Sequence, residues 1–389
     1  MSDLERILPL WSELEKEHRS YVLATIVAVE GSSYRKPGAL MLLAEDGRRA
    51  GTVSGGCLEA EVARRAWWLT RNGPVVEAYS TADDDGERPY GSGCGGRVYL
   101  HLERNQSAGP TLAFLADAFS QRISCAVATV LEGACMGRHA FASANVGDAN
   151  RLLSGTDQLT ADPLQNLAEL AFKRRESIER KTPTPDGSSR AWADFRPART
   201  GLWIFGAGDD AQPLQQMAHE LGWFVVVADG RAHLATRERF LQADSVKVLS
   251  KMKRRESKSE SADLFEGIRP SDAVVLLTHS FEQDVRILGA LLELEVAPAY
   301  IGVLGPQRRT REVLKEVFRL NSSDESDSAI DYRIDGWMGR LHAPMGIDLG
   351  ADSPATIALS ILAEIQKCIA KATAFPLREV RADKTLVKV

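Results

Sequence analysis

The chain has 389 residues, 44% of them hydrophobic, which is enough for two or three domains with large apolar cores. Its net charge of −5 does not imply a polyanion partner such as nucleic acid, and no run of about 18 apolar residues predicts a membrane span. The N-terminus lacks the basic start and apolar core of a signal peptide, which favours a cytoplasmic protein. Five cysteines without a CxxC pair, and no HExxH, predict free thiols and no structural zinc site.

The first 181 residues are predicted to form an N-terminal α+β domain. Apolar spacing and turn residues predict its elements in chain order: a helix over 4–18, strands over 21–29, 39–43, 75–78 and 97–102 with a helix over 59–70 among them, a helix over 111–119, a strand over 123–131 and a helix over 163–181.

Residues 182–200 are predicted to be a linker. The segment contains Pro183, Pro185, Gly187 and Pro197, residues that are common in irregular connections. Because it lies just before a new apolar run, the domain boundary is placed there.

Residues 201–389 alternate between strand and helix patterns, which predicts a parallel sheet with helices on both faces. The predicted strands cover 202–205, 223–228, 246–249, 273–277 and 299–303, and the predicted helices cover 211–221, 282–294, 307–320 and 353–371. Two polar insertions, 251–263 and 321–328, are predicted to be solvated loops.

A glycine turn follows the first of these strands, and an acid ends the second. Gly206 allows a tight turn, Gly208 lets backbone N–H groups approach a phosphate, and Ala211 keeps the helix close to the sheet. Asp229 stands where a ribose-binding acid is expected. The pattern predicts an α/β fold with a C-terminal Rossmann-like parallel-sheet domain that is able to bind a nucleotide such as NAD(P).

Cys57 follows three small residues, Ser54, Gly55 and Gly56, and precedes a predicted helix. Backbone N–H groups at that helix start would bind an anion, and the same field would make the thiol nucleophilic or a soft ligand. The alternative is a small buried cysteine in a tight turn.

Cys94 is flanked by glycines, including Gly93 and Gly95. Such a cluster is expected where the backbone approaches a ligand closely, for example a pyrophosphate or a pterin. The remaining cysteines stand in apolar stretches and are predicted to be buried or incidental: Cys125, Cys135 and Cys368.

Further candidates follow the later strands of the C-terminal domain. His279 comes directly after the strand at 273–277, at the sheet edge where ligands gather in parallel sheets, although a lone histidine is as often structural. Asp284 lies just inside the next helix. Gly305 precedes the arginines of 308–311, which suit phosphate or carboxylate groups unless they simply form an exposed helix start.

The loop before the last helix is explained only in part. Ser353 is predicted to cap that helix and Pro354 to be its first residue. His342 and Gly346, in the same loop, have no such structural explanation.

Taken together and in order, these motifs resemble the xanthine dehydrogenase accessory factor family, XdhC/CoxI. The resemblance rests on the following segments: residues 31–38, 51–59 and 93–96 in the N-terminal domain, and 205–208, 229–231, 239–240, 278–279, 300–305 and 342–350 in the C-terminal domain.

This resemblance implies a cytoplasmic maturation factor, a chaperone rather than an enzyme. Such a protein binds the molybdenum cofactor (molybdopterin) and supports its sulfuration and its insertion into a molybdenum hydroxylase such as xanthine dehydrogenase. A cysteine desulfurase is the other implied partner. Cys57, Cys94 and His279 then become candidates for the chemistry, since thiolate, molybdenum and persulfide sulfur are all soft. The implied cofactor-binding residues are Ser54, Gly55, Gly56, Cys57, Gly93, Cys94, Gly95, Gly206, Gly208, Asp229, Arg231, His279 and Gly305.

One departure from the family concerns the glycine turn. The family often has a histidine after Gly-Ala-Gly, whereas this chain has Asp209 and Asp210. Two carboxylates beside a phosphate site would repel a dinucleotide unless they point away or hold a cation.

Two other functions are compatible with the sequence. An NAD(P)-dependent oxidoreductase would use the Rossmann-like domain and His279, but no acid–base pair at recognisable spacing supports hydride transfer. A regulatory nucleotide-binding module would carry no chemistry. A homodimer is also expected, in which N-terminal loops and C-terminal strand ends meet, while the molybdoenzyme served and the form of the cofactor stay open.

Overall fold

The computed structural model describes residues 3–80, 96–144, 158–184, 187–249, 265–321 and 326–380. The chain forms two compact units, Met1–Arg199 and Thr200–Val389. Within the described ranges, every helix is too short or too polar to traverse a lipid bilayer.

The N-terminal unit is built on an antiparallel sheet. Its strands are β1 (Tyr21–Glu30), β2 (Leu40–Ala44), β3 (Arg49–Gly51), β4 (Val75–Ser80) and β5 (Arg97–Arg104), in the order β3-β2-β1-β5-β4. Helices α1 (Asp3–Lys16) and α3 (Asn105–Ser120) cover one face, and α2 (Glu59–Leu69) covers the other. Alternation along β1 explains the two cores, because Leu23 faces α1 and α3 while Val22 faces α2.

A second antiparallel sheet completes this unit and corrects the predicted linker. It consists of β6 (Cys125–Val130), β7 (His139–Ser143), β8 (Ile178–Thr184) and β9 (Gly187–Arg196), in the order β7-β6-β9-β8, with α4 (Gln158–Arg174) packed against it. Most of 182–200 therefore belongs to a hairpin and is not a linker. Pro183 is tolerated because β8 is an edge strand, where a missing N–H disrupts no inner ladder.

The C-terminal unit has a five-stranded parallel sheet. Its strands are β10 (Gly201–Phe205), β11 (Phe224–Asp229), β12 (Ser245–Val248), β13 (Ala273–Leu276) and β14 (Tyr300–Val303), in the order β12-β11-β10-β13-β14. The order reverses between β10 and β13, which is the ligand-binding switch point of a doubly wound sheet. The predicted fold class, with an α/β Rossmann-like unit beside an α+β unit, is confirmed.

Helices cover both faces of this sheet, as its apolar strands require. Along β10, Leu202 and Ile204 pack under α5 (Ala211–Glu220) and α9 (Pro354–Ala370), and Trp203 and Phe205 pack on the other side. That second side is covered by α6 (Phe281–Leu292), α7 (Gln307–Asn321) and α8 (Asp327–Met338). The sequence pattern missed α8, which begins within the predicted loop 321–328. The charged insertion 251–263 lies outside the described residues.

Candidate functional site

The Cys57 loop, residues 52–58, connects β3 to α2. Gly55 and Gly56 have φ angles of +93° and +126°, a backbone conformation that glycine adopts without strain. The chain turns sharply at these two residues, and Cys57 is exposed to solvent. The alternative of a small buried cysteine at this position is wrong.

Glu59, the first residue of α2, turns its carboxylate into the Cys57 loop and is only 4% exposed. Its oxygens accept hydrogen bonds from Thr52 Oγ1, Val53 N, Ser54 N, Ser54 Oγ, Gly55 N and Gly56 N. The backbone N–H groups expected to bind a ligand anion therefore bind a carboxylate of the same chain. This corrects the prediction that Ser54, Gly55 and Gly56 offer free donors to a ligand.

The charge of Glu59 follows from these contacts. Burial alone would raise the pKa of this carboxyl, but hydrogen bonds from the hydroxyls of Ser54 and Thr52 outweigh burial and hold the pKa at about 2. Glu59 is ionised at neutral pH and fixes the loop that presents Cys57. The loop is thus preorganised around an internal anion, with its thiol directed to solvent.

The second glycine-flanked cysteine cannot be placed in the same way. Gly93, Cys94 and Gly95 lie outside the described residues, so their roles stay predictions. Gly96, which follows them, packs against the carbonyl oxygen of Ser32 so closely that no side chain fits there. The turn at residues 31–38 is therefore in contact with the chain next to the Cys94 segment.

The glycine turn of the C-terminal unit has the predicted form. Gly206 has a φ angle of +120°, and a Cβ there would lie 2.7 Å from the carbonyl carbon of Leu277. Only glycine fits both constraints. The turn after β10 therefore touches the end of β13, at the switch point of the sheet. Gly208 is also crowded, since a Cβ there would lie 2.6 Å from Asp210 Oδ1.

Asp229 ends β11 as predicted, but its carboxylate has different partners from those expected. It is fully buried and accepts hydrogen bonds from Ala207 N at 2.7 Å and from Arg231 N at 2.8 Å. The guanidinium of Arg231 also pairs with it, at 2.7 Å. Burial opposes ionisation, yet the bonds from Arg231 and Ala207 lower the pKa of Asp229. The acid holds the glycine turn in place, which corrects the expectation of a free ribose-binding carboxylate.

The two aspartates after the glycine turn differ in their partners. Asp209 is 90% exposed and pairs with Arg239 at 2.9 Å, and the same guanidinium lies 3.3 Å from the carbonyl oxygen of Ala207 in the turn. Asp210 directs one carboxylate oxygen, Oδ1, into a buried position where it has no hydrogen-bond partner among the described residues. The charge of Asp209 is therefore paired with Arg239, whereas the carboxylate of Asp210 is adjacent to Gly208.

The end of β13 carries an ion pair that the sequence did not indicate. Thr278 Oγ1 donates to Asp284 Oδ1 at 2.5 Å, and Arg309 lies 2.5 Å from Asp284 Oδ2. Asp284 is fully buried, and burial raises its pKa despite these partners. His279 is exposed beside this pair, at the carboxyl edge of the sheet as predicted. Gly305, after β14, has a φ angle of +117°.

The arginines after Gly305 pair with carboxylates of the chain. Arg309 is committed to Asp284, while Arg308 lies 3.3 Å from Glu312 on the same helix. Arg311 contacts a carboxylate of α8 at 2.5 Å. Each of these guanidinium groups therefore contacts a carboxylate of the chain, and phosphate binding by these arginines stays a prediction.

Glu364 of α9 binds residues of the loop that precedes this helix. This carboxylate lies 2.9 Å from His342 Nδ1 and accepts hydrogen bonds from Tyr300 Oη at 2.6 Å and Gly346 N at 2.7 Å. The rings of Tyr300 and His342 stack with centroids 4.3 Å apart. Cys368 is half-buried, 3.9 Å from His342 Nε2. His342 and Gly346 are therefore structural residues that fasten the loop to α9.

The N-terminal unit contains a buried polar cluster that sequence reasoning missed. Glu103 lies 2.8 Å from His139 Nε2 and 3.6 Å from His101 Nδ1, and all three side chains are almost fully buried. His139 Nδ1 is 2.9 Å from Thr129 Oγ1. The cluster borders a cavity of about 20 Å³, where His101 Nε2 and Thr111 Oγ1 have no hydrogen-bond partner among the described residues. Such a cavity has room for one ordered water.

This cluster predicts acid sensitivity of the N-terminal unit. Burial lowers the pKa of His101, and the two histidines hold the pKa of Glu103 at about 2 against burial. The pKa values of His101 and Glu103 are both lower in the folded protein than in the unfolded chain, so the unfolded chain binds protons first as the pH falls. Stability is therefore lost below about pH 6.5 through His101 and further below about pH 4.5 through Glu103. Hydrogen exchange of β5 amides, corrected for intrinsic rates, should show opening become easier over this range. A free energy of opening that stays constant from pH 7 to pH 4 would contradict this.

Among the residues that the structure describes, no three His, Cys, Asp or Glu side chains converge as a metal site requires. The fold and the loops define a protein with an exposed thiol on a rigid turn of an α+β unit and a glycine turn at the switch point of a Rossmann-type unit.

Comparison with known families identifies the class more closely. The model of the XdhC and CoxI family matches residues 14–80, and the model of the XdhC Rossmann domain matches residues 202–365. The chain belongs to the XdhC and CoxI family, and the resemblance inferred from its motifs is confirmed.

Individual relatives extend over nearly the whole chain. A protein of Bacillus subtilis described as a probable xanthine dehydrogenase subunit is 29% identical over 90% of this chain and 94% of its own length. A molybdenum cofactor insertion chaperone of Escherichia coli, PaoD, is 27% identical over 93% of this chain and 88% of its own. A crystal structure described as a xanthine dehydrogenase from Bacillus halodurans superposes with a TM-score of 0.68 at 29% identity, covering 96% of this chain and 97% of that one.

Proposed function

We propose that this protein binds the molybdenum cofactor and delivers it to a molybdenum hydroxylase such as a xanthine dehydrogenase. The observation that carries the proposal is the exposed Cys57 on a loop held by Glu59. A thiolate is a soft ligand suited to molybdenum, and a rigid loop that presents it requires little reordering on binding. Two relatives support this function, since one is described as a cofactor insertion chaperone and the other as a probable xanthine dehydrogenase subunit.

The finer parts of the proposal concern sulfur and assembly. We infer that the protein holds the cofactor while a cysteine desulfurase supplies its sulfur, and that it acts as a homodimer in the cytoplasm. The glycine turn at Gly206 and the strand end at His279, both at the switch point of the C-terminal sheet, would bind a nucleotide. The buried Asp229 disfavours the NAD(P)-dependent oxidoreductase, because that carboxylate is not accessible to a ribose.

Replacing the exposed thiol tests the proposal directly. Cys57→Ala should lower cofactor retention at least about tenfold, the loss typical of disturbing a metal-binding side chain. Purified protein is mixed with molybdenum cofactor in the presence of NAD(H), and retained molybdenum and pterin are measured by mass spectrometry.

The matched control is Cys368→Ala, which removes a half-buried thiol from the other unit. It should retain the cofactor as the unaltered protein does. Full retention by Cys57→Ala would disprove the role of the thiol. Retention of NAD(H) alone would favour the oxidoreductase.

A further inference from the structure

Tyr34 is an exposed aromatic residue in the turn between β1 and β2. It is 77% exposed. Single exposed aromatic residues are common on protein surfaces, so exposure alone implies nothing. The position of this ring relative to the Cys57 loop is what distinguishes it.

The turn that carries Tyr34 is fixed on both sides. On one side, Ser32 packs against Gly96. On the other, Arg35 forms an ion pair with Asp3 of α1, and the same carboxylate accepts the N–H of Leu40 at 3.2 Å. The backbone of the turn is therefore held in place around an otherwise exposed ring.

The ring of Tyr34 rests by one edge on the Cys57 loop. A Cβ on Gly55 would lie 2.9 Å from Tyr34 Cδ1 and 3.0 Å from Cε1, so the ring fits only because Gly55 has no side chain. Because Tyr34 is 77% exposed, most of the ring surface remains accessible to a ligand. Cys57 is two residues from Gly55, within on the order of 7 Å along the chain.

We propose that Tyr34 is the platform on which the planar pterin ring of the cofactor stacks while Cys57 holds its metal end. This rests on the proposed function, since it assumes that the cofactor binds at the Cys57 loop. Flat heterocycles stack on exposed aromatic side chains, and a ring fixed in advance loses little conformational freedom on binding. The loop offers no free backbone donors at Ser54, Gly55 and Gly56, because Glu59 occupies them, so a stacking surface supplies the contact that the loop itself lacks.

The test compares Tyr34→Leu with Tyr34→Phe, using molybdenum cofactor as the probe and its dissociation constant as the readout. Tyr34→Leu should weaken binding by about fivefold to 150-fold, the range that corresponds to loss of one stacked ring. Tyr34→Phe should bind as the unaltered protein does, because the aromatic face is kept. The matched control is Tyr332→Leu, since Tyr332 is 83% exposed on α8 of the other unit.

The possible results separate the two proposals. If the unaltered protein binds cofactor and Tyr34→Leu binds it equally well, the platform is wrong and the proposed function stands. If Tyr34→Phe is as weak as Tyr34→Leu, the phenol hydroxyl and not the ring face is responsible, which also overturns stacking. If the unaltered protein binds no cofactor, the proposed function fails, and the platform fails with it.

Discussion

Glu59→Gln is expected to destabilise the Cys57 loop and to reduce cofactor retention together with it. The carboxylate accepts hydrogen bonds from backbone N–H groups on both sides of Ser54 and is nearly inaccessible to water. A glutamine replaces one of these oxygens by an NH₂ group. That group points at the N–H donors of the loop and cannot accept their hydrogen bonds. Buried donors are then left unpaired, and the charge that they stabilised is lost.

The expected size of this effect is about 3 kcal/mol, because each unpaired buried donor costs about 1–3 kcal/mol. For a unit of this size the loss corresponds to roughly 6–12 °C in melting temperature. The same substitution should remove part of the acid sensitivity below pH 4.5, since the pKa of Glu59 is depressed to about 2 and its stabilisation is lost as the pH falls towards that value.

Thermal unfolding and cofactor retention measured on the same preparations provide the check. The control is Glu61→Gln, which removes another acid from the first turn of α2. The carboxylate of Glu61 lies 3.6 Å from Arg65. That partly exposed pair should contribute at most about 1 kcal/mol. If the two substitutions lower stability and cofactor retention equally, the charge at the start of α2 explains the effect, and the hydrogen bonds of Glu59 within the Cys57 loop do not.

The glycine turn illustrates what the sequence could predict. Gly206 stands between an apolar strand and a helix pattern, and these local features already determine a tight turn. The structure places β10, the turn, α5 and β11 in that order. The positive φ angle at Gly206 and the apolar run before it both depend on a few neighbouring residues. This part of the fold is therefore predictable from the sequence.

The partners of the polar residues could not be predicted in the same way. The pattern correctly predicted that Asp229 ends a strand. It could not predict that Ala207 and Arg231 donate hydrogen bonds to the carboxylate of Asp229. Likewise, the sequence did not indicate that the carboxylate of Glu59 fills the Cys57 loop. The local sequence determines the helix, strand or turn on which a residue lies, whereas the partner of its side chain depends on tertiary contacts.

The missed clusters depend on contacts between distant parts of the chain. Glu103 and His139 are 36 residues apart, and His342 and Glu364 are 22 apart. A histidine in an apolar strand gives no indication of which carboxylate will lie opposite. Only the folded units bring these groups together, so their structural role could not be predicted from spacing.

Arg309→Met is expected to cost the C-terminal unit about 3–5 kcal/mol at neutral pH, the usual result of leaving one member of a buried ion pair alone. Asp284 is fully buried and pairs with Arg309 at the end of β13. Methionine keeps most of the apolar stem but removes the positive charge. Among the described residues, the carboxylate then retains the hydrogen bond from Thr278 and the nearby ring of His279.

The pH dependence identifies the cause of this loss. The pKa of Asp284 is already raised by burial, and losing Arg309 raises it further. A carboxyl with a raised folded pKa destabilises the fold above its unfolded pKa of about 3.9, and this cost vanishes when both states are protonated. The difference between Arg309→Met and the unaltered protein should therefore shrink as the pH is lowered towards 4.

Urea unfolding at several pH values, with two further variants, makes the test specific. Arg308→Met is the neighbouring control, because Arg308 is 90% exposed and its pair with Glu312 contributes at most about 0.5 kcal/mol. Adding Asp284→Asn to Arg309→Met should restore stability, since it removes the uncompensated charge. A loss that is independent of pH and is not relieved by Asp284→Asn would show that Arg309 acts through packing, and that the end of β13 is not organised by a buried ion pair.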